Sequence, residues 1–145
     1  MTLKLPLVAQ DTFLMPTYAH ESDAAMDLRS ADSLTIEPMG RALVRCGVSV
    51  AIPEGYGGLV VPRSGLAAKN GVTVLNGPGL IDSGYRGEVC VSLVNLDPSA
   101  PFEIEQGDRI AQLLIVATPK VTVIPVGSLE ESDRGTGGFG SSGMK

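Results

Sequence analysis

A single carboxylate, Asp82, stands within a segment that is rich in turn-forming residues. The segment spans residues 76–87 and contains four glycines and one proline. These residues predict a tight hairpin, whose backbone N–H and C=O groups can come close enough to a flat ligand, such as a nucleobase, to hydrogen-bond its edge. An ordinary β-turn with a solvated Asp82 is the alternative interpretation.

An arginine and a hydroxyl precede a short helical pattern in residues 62–66, Pro-Arg-Ser-Gly-Leu. The pattern predicts a helix of barely two turns that has Ser64 as its N-cap and ends at Asn70 and Gly71. Free backbone N–H groups and the helix dipole favour an anion at its start, so Arg63 and Ser64 form a candidate phosphate site. A capped helix with a surface arginine is the alternative.

Two further polar residues interrupt apolar strands. Asp27 lies in the run Ala-Met-Asp-Leu and either holds a hydrated cation or is an exposed strand residue. Regular alternation places Arg109 and Gln112 on opposite faces of a strand, with Ile110 on the face of Gln112. Gln112 is therefore either a polar ligand that faces a site or an ordinary surface residue.

The C-terminal segment changes in composition to Gly, Ser and charged residues, without periodicity. Taken alone, residues 127–145 should be mobile. Arg134 and the surrounding glycines are similar in composition to a phosphate-binding loop, and Phe139 is an isolated aromatic residue able to stack on a base. The Walker pattern is not matched, because no Gly-Lys-Ser/Thr follows, and a disordered tail is the alternative.

The elements that must position these residues are short β-strands. Apolar and polar residues alternate repeatedly between clusters of Pro, Gly, Asn and Asp, which indicates a sandwich or barrel with little helix. Two apolar runs, 110–117 and 121–126, lack clean alternation and are expected to be covered on both faces, which suggests contact with another subunit. The alternating faces are Leu34-Ile36, Val44-Cys46-Val48-Val50-Ile52, Val89-Val91-Leu93 and Phe102-Ile104.

Whole-chain composition excludes several classes of function. The 145 residues fit one domain, no apolar run approaches the ~20 residues of a membrane span, and no signal pattern opens the chain. A net charge of −5 argues against broad binding to nucleic acid, which requires clustered Lys and Arg. Cys46 and Cys90 lack metal-ligand spacing and are expected to be buried free thiols in a reducing compartment. We therefore expect a cytoplasmic protein that binds neither membrane nor nucleic acid.

Taken together and in order, these segments resemble the five motifs of the trimeric dUTP pyrophosphatase (dUTPase) family across residues 24–143. The best-matching segments are 62–66 (PRSGL), 79–87 (GLIDSGYRG), 109–112 (RIAQ) and 134–143 (RGTGGFGSSG). Ala25 departs from the first motif, where the family usually has Gly, and Gly77 stands at a variable position. Neither departure removes a reacting group, although Ala25 leaves the local backbone less free.

The resemblance implies an all-β fold and a shared active site. Residues 1–126 would form one distorted jelly-roll-like β domain with a single short helix, and residues 127–145 a flexible Gly/Ser-rich arm. Three chains would form a threefold homotrimer, in which each site takes motifs one, two and four from one chain, the hairpin from a second and the arm from a third. Such sharing would explain an arm that has no partner in its own chain.

The resemblance also implies roles for individual residues. Asp82 would be the general base that activates water for in-line attack on the α-phosphorus. Asn76 and nearby backbone groups would bind uracil, Tyr85 would pack against the deoxyribose, and Phe139 would stack over uracil as the arm closes. The remaining polar groups would neutralise the phosphates. The implied substrate-binding residues are Arg63, Ser64, Gly65, Asn76, Gly79, Leu80, Ile81, Tyr85, Gln112, Arg134, Phe139, Gly140 and Ser141.

The cofactor that the resemblance implies is Mg²⁺, chelated by the triphosphate of dUTP and contacted by Asp27 through water. The implied function is a dUTP diphosphatase that converts dUTP to dUMP and pyrophosphate. Such an enzyme limits uracil in DNA and supplies dUMP for thymidylate synthesis.

Two other functions are alternatives. A dCTP deaminase shares this fold but needs a glutamate near the amino group of the base, whereas the predicted hairpin offers Asp82, with Glu88 several residues beyond it. A non-catalytic trimer that senses nucleotides is the second alternative. The presence of all the matching reactive positions counts against that second function.

Overall fold

The computed structural model describes residues 2–138, whose regular secondary structure consists mainly of antiparallel β-strands. One α-helix and one 3-10 turn (Thr12–Leu14) accompany the strands in this part of the chain, so the expected all-β class with a single short helix is confirmed. The strands are β1 Leu7–Ala9, β2 Met26–Arg29, β3 Leu34–Ile36, β4 Arg41–Val50, β5 Tyr56–Val61, β6 Val72–Val74, β7 Gly79–Ile81, β8 Glu88–Asn95, β9 Phe102–Ile104 and β10 Arg109–Ala117.

The described strands form two four-stranded sheets and one two-stranded ribbon. One sheet has the order β1-β4-β8-β6, the other has the order β2-β10-β5-β7, and β3 pairs with β9. Non-consecutive strands are neighbours in both large sheets, so most pairings join residues that are distant in the sequence.

The core consists of the apolar faces that the alternation predicts. In β8, residues are buried and half-buried in strict alternation, with Val89, Val91 and Leu93 each at most 2% exposed. Val44 and Val48 of β4 belong to the same buried core cluster. Valine suits these positions because its branched side chain packs well on a pleated surface.

Strand β4 is interrupted by a bulge at Gly47, where the register against β8 shifts between Arg45 and Ser49. Gly47 has a φ of 65°, a left-handed conformation that glycine adopts without steric cost. The Glu88 carboxylate accepts the Gly47 N–H at 2.8 Å. The bulge is therefore held by the first residue of β8.

The helix α1, Ser64–Asn70, begins one residue earlier than an N-cap at Ser64 implies. Arg63 occupies the N-cap position with an extended backbone, so the prediction that Ser64 caps the helix is wrong. Because the backbone is still extended at Arg63, Ser64 is the first helical residue and its hydroxyl does not cap the helix. The predicted end is confirmed, because Gly71 adopts a left-handed φ of 65°.

Beyond Ala117, the described residues form neither helix nor strand. Val121, Val123 and Ile124 are each more than 75% exposed, so the apolar run that should be covered on both faces is uncovered in the single chain. No helix in residues 2–138 is long and apolar enough to cross a membrane.

Both cysteines are free thiols, but only Cys46 is buried. Cys90 is half-buried, because it lies on the face of β8 opposite Val89 and Val91. The expectation of two buried thiols is therefore wrong for Cys90.

We expect Gly47→Ala to lower the free energy of unfolding by about 1–3 kcal/mol. A Cβ atom there would lie 2.5 Å from Leu14 Cδ1 and 3.2 Å from Ala31 Cβ, in addition to the unfavourable φ. Gly127→Ala is the control, since its Cβ meets nothing within 4 Å. Urea unfolding at equal protein concentration measures both, and equal midpoints for the two variants would contradict the prediction.

Candidate active site

Asp82 borders a cavity of about 200 Å³ that is large enough for a flat ring. The carboxylate follows directly after β7 and is exposed. Apolar side chains supply most of the walls, and Asp82 supplies the charge. The lining residues are Leu80, Ile81, Asp82, Tyr85, Val89 and Cys90.

The glycine-rich segment around Asp82 does not form the predicted hairpin. Its strand β7 pairs with β5, with Ile81 opposite Gly58, while the preceding strand β6 pairs with β8. Residues 75–78 therefore carry the chain from one large sheet to the other. Long-range pairing with β5 replaces the local pairing that the turn residues indicated.

This pairing leaves β7 at the edge of its sheet. One side of the strand bonds β5, and within the described residues no strand pairs with the other side. The free side can offer backbone N–H and C=O groups to a ligand, in the same way that an edge strand accepts an added peptide. Leu80 is 64% exposed on this strand, whereas Gly79 and Ile81 are buried.

The turn after β7 is held by hydrogen bonds from its own residues. The Tyr85 N–H donates to the Asp82 carbonyl at 3.1 Å, and the Tyr85 hydroxyl donates to the Glu88 carbonyl at 2.8 Å. The Arg86 guanidinium donates to the Ser83 and Tyr85 carbonyls, both at 2.7 Å. These bonds fix the turn that presents Asp82 and Tyr85 to the cavity.

A second polar cluster surrounds Asp27 on the neighbouring strands β2 and β10. Asp27 is only 5% exposed, so its interpretation as an exposed strand residue is wrong. One carboxylate oxygen accepts Arg109 Nη1 at 3.1 Å and the other accepts Gln112 Nε2 at 3.3 Å. Removal of Asp27 would leave these donors without their partner.

The prediction that Arg109 and Gln112 lie on opposite faces is also wrong, because both contact the same carboxylate. The register of β10 against β2 shifts between Arg109 and Ala111, and this irregularity turns the Arg109 side chain toward Gln112. Ile110 and Ala111 are both buried beside the shift.

Arg63 joins this cluster through the backbone, since its Nη1 donates to the Arg109 carbonyl at 2.7 Å. Ser64 and Gly65 follow it and are exposed at the start of α1. Two arginines thus accompany one carboxylate, together with a serine hydroxyl and an amide. Such donors can bind an anion locally despite the net charge of −5.

The other predicted binding residues lie outside these two clusters. Asn76 is exposed in the turn before β7, and its Nδ2 would lie 3.4 Å from a Cβ atom at Gly79. Arg134 is exposed and its Nε donates to the Gly137 carbonyl at 2.8 Å. Phe139, Gly140 and Ser141 lie outside the described residues.

Within one chain, the Asp82 cavity and the Asp27 cluster lie at different ends of the same sheet. Ile81 is opposite Gly58 of β5, whereas Gln112 is opposite Val61 on the other side of β5. With ~3.3 Å per residue and ~4.8 Å between strands, the register separates Asp82 and Gln112 by roughly 16 Å. A single chain therefore does not bring the Asp82 carboxylate to the Asp27 cluster.

The Asp27 carboxylate suits a magnesium ion that is held chiefly by the phosphates of a bound nucleotide. The described residues contain no group of three or more His, Cys, Asp or Glu that could hold a metal. Asp27 keeps unshared lone pairs on both oxygens, although each accepts one hydrogen bond. Mg²⁺ retains waters readily, so a carboxylate that contacts it through water is compatible with this geometry.

Cys90 is a cavity residue that the sequence analysis did not assign to the site. The alternation of β8 places it opposite the buried Val89 and Val91, but no local pattern indicates that this face borders the Asp82 cavity. Burial, reinforced by the nearby Glu88 charge, raises the pKa of the Cys90 thiol. Burial also raises the pKa of Cys46 to about 12.

The structure combines antiparallel β-sheets, an aspartate beside a cavity, and a cluster of arginine and amide donors, features that fit an enzyme acting on a phosphorylated ligand. The dUTPase family model matches residues 11–143, nearly the whole chain. The chain belongs to the dUTPase family and is a dUTP diphosphatase.

Relatives of known name agree with this assignment. The chain is 50% identical to the deoxyuridine 5'-triphosphate nucleotidohydrolase of Leifsonia xyli over 142 residues, which cover 98% of this chain and 91% of the relative. It is also 50% identical to the Mycobacterium tuberculosis protein of the same name, with coverage of 99% and 97%.

Two solved structures are similar in fold. The dUTPase of Staphylococcus bacteriophage 80alpha with dUpNHpp matches with a TM-score of 0.88 and 32% identity, over 99% of this chain and all of that chain. A mutant dUTPase of phage phi11, described as coordinating a structural Mg(II) ion, matches with a TM-score of 0.78 and 27% identity, over 89% of this chain and all of that chain.

We expect iodoacetamide to alkylate Cys90 slowly and Cys46 hardly at all. A raised pKa leaves less thiolate at a given pH, so the rate at Cys90 should increase as the pH rises above 8. The analogue dUpNHpp should slow the reaction at Cys90, because this thiol lines the cavity. Peptide mass spectrometry measures both cysteines, with Cys46 as the internal control. An equal Cys90 rate with and without saturating analogue would contradict nucleotide binding in this cavity.

Proposed function

We propose that this enzyme hydrolyses dUTP by attack of water on the α-phosphorus, with Asp82 as general base and pyrophosphate as leaving group. The observation that carries this proposal is the position of Asp82 and Tyr85 on one ring-sized cavity beside the free edge of β7. Asp82 accepts the proton of the attacking water, and the P–O bond to the β-phosphate breaks. The reaction limits uracil in DNA and supplies dUMP for thymidylate synthesis.

The free side of β7 and the Asn76 side chain recognise uracil. Uracil offers a donor at N3 and an acceptor at O4, whereas cytosine reverses both. A fixed set of backbone partners would leave buried groups unpaired with cytosine, a mismatch that can cost on the order of several kcal/mol. Tyr85 packs against the deoxyribose, where a 2′-hydroxyl would clash.

The anion cluster receives the triphosphate. Donors at the start of α1, on β10 and in the arm neutralise the charge of the triphosphate. The arm completes the site when Phe139 stacks over uracil. Asp27 would contact a phosphate-held Mg²⁺ through water, and the ion would supply further charge neutralisation. The donors assigned to this role are Arg63, Ser64, Gly65, Gln112, Arg134, Gly140 and Ser141.

Three jelly-roll-like domains share these sites in a homotrimer. The separation of roughly 16 Å between Asp82 and Gln112 supports sharing. A triphosphate whose α-phosphorus lies beside Asp82 cannot also contact Gln112 of the same chain. The exposed apolar run at 121–126 supports a contact with another subunit, since an uncovered run of this kind marks an interface. Residues 127–145 then form the arm, which reaches a site on other chains.

The geometry weighs against a dCTP deaminase. The carboxylate oxygens of Glu88 accept the Gly47 N–H and Arg45 Nε, so this glutamate is engaged in the β4 bulge. Assays for ammonia release from dCTP separate this activity from dUTP hydrolysis.

We expect Asp82→Asn to lower turnover of dUTP by at least ~100-fold, the lower range for loss of a general base. The variant should still fold and bind dUpNHpp, because the amide keeps the size of the carboxylate. Pyrophosphate release is measured for wild type and variant against dUTP, UTP, dCTP and dTTP. Wild-type turnover confined to dUTP supports the proposal, and a variant that keeps more than about a tenth of the activity would exclude Asp82 as the base.

A mixture of two inactive parents tests the shared site. One parent carries Asp82→Asn and the other ends before Asp133, so each lacks a different part of the site. If the Asp82 cavity and the arm come from different chains, random mixing at equal amounts should restore roughly a quarter of the wild-type sites.

Turnover of dUTP after co-refolding is the measurement, with mixed trimers identified by native mass spectrometry. Each parent alone is the control. Activity that stays at the level of the parents despite mixing would refute the sharing of cavity and arm between chains.

A further inference from the structure

We propose that Gly87 and the backbone carbonyl of Glu88 position the Tyr85 ring, and that this positioning sets the preference for deoxyribose over ribose. The inference deepens the proposed function, because it rests on the packing of Tyr85 against the sugar. Neither residue needs to touch the nucleotide, so both act as positioning residues.

Gly87 leaves the space that the Tyr85 ring occupies. A Cβ atom at residue 87 would lie 2.6 Å from Tyr85 Cζ and 3.0 Å from Cε2, and it would also overlap the hydroxyl oxygen. Real Cβ atoms do not approach aromatic carbons this closely, so any larger residue must displace the ring. The ring lies directly against the backbone at residue 87.

The Tyr85 hydroxyl is fixed at the other end by its bond to the Glu88 carbonyl at 2.8 Å. That carbonyl belongs to the first residue of β8, which is itself anchored. The Glu88 side chain accepts the Gly47 N–H at 2.8 Å and Arg45 Nε at 3.1 Å. The ring therefore rests on a backbone that is tied to the bulge of β4.

A Tyr85 ring that excludes ribose by steric contact must be held in a fixed position. Deoxyribose and ribose differ by one oxygen atom, and a wall that shifts by about 1 Å makes room for it. Tyr85 lines the cavity but is 44% exposed, so packing alone does not confine the ring. The Gly87 contact and the Glu88 bond supply the missing restraint.

The test compares three variants of the full-length enzyme for kcat/KM with dUTP and with UTP. Gly87→Ala displaces the ring, and Tyr85→Phe keeps the ring but removes its hydrogen bond. Gly84→Ala is the matched control in the same turn, since its Cβ would meet nothing within 4 Å. Thermal unfolding is recorded for every variant.

We expect the ratio of kcat/KM for dUTP to that for UTP to fall at least ~10-fold in Gly87→Ala. In Tyr85→Phe the fall should be ~2- to 10-fold, which is what one hydrogen bond contributes. Gly84→Ala should keep the wild-type ratio. A merely structural role of Gly87 would lower activity toward both nucleotides equally and leave the ratio unchanged.

Three outcomes would overturn the inference. If Gly87→Ala folds and keeps the wild-type ratio, Gly87 does not position the ring. If that variant fails to fold, a wild-type ratio in Tyr85→Phe shows that the position of the ring does not set the preference. A wild-type enzyme that does not prefer dUTP over UTP overturns the assignment of Tyr85 itself. Only this last outcome also counts against the proposed function.

Discussion

The carboxylate of Glu88 joins the first residue of β8 to the bulge of β4, and both the sheet and the candidate site depend on this junction. Gly47 turns the strand with a φ of 65°, which leaves its N–H free to meet the carboxylate at 2.8 Å. The backbone carbonyl of Glu88 accepts a hydrogen bond from the Tyr85 hydroxyl. One residue thus connects the irregularity in the central strand pair to the wall of the cavity, so disruption of the bulge would reach the site as well as the core.

The arrangement of strands also separates the Asp82 cavity from the Asp27 cluster within one chain. Strand β5 lies between β10, which carries Gln112, and β7, which directly precedes Asp82, so these two strands do not pair. A regular sheet is too stiff to bring them together by bending. In the proposed homotrimer, a second chain would place its Asp82 cavity against the Asp27 cluster of the first without deforming either. The uncovered apolar run at 121–126 provides surface for such an assembly.

Much of the fold was predictable from local patterns. The alternation in β4 and β8 identified the residues that are buried, because a strand turns successive side chains to opposite faces whatever its partner is. The end of α1 at Gly71 was also predictable, since a left-handed terminus has a strong preference for glycine. The order and spacing of five motif segments across residues 24–143 identified the family.

Features that depend on distant partners were not predictable in this way. The turn residues of 76–87 indicated a hairpin, but β7 pairs with β5, because strand partners are chosen by the packing of the whole sheet. Arg109 and Gln112 meet at Asp27 only through a register shift, which local alternation does not contain. The sequence by itself determined the strand pattern, the short helix and the chemically useful residues. Only the tertiary structure decided which of them share a cluster, because bulges and strand order arise from contacts between segments that are far apart in the chain.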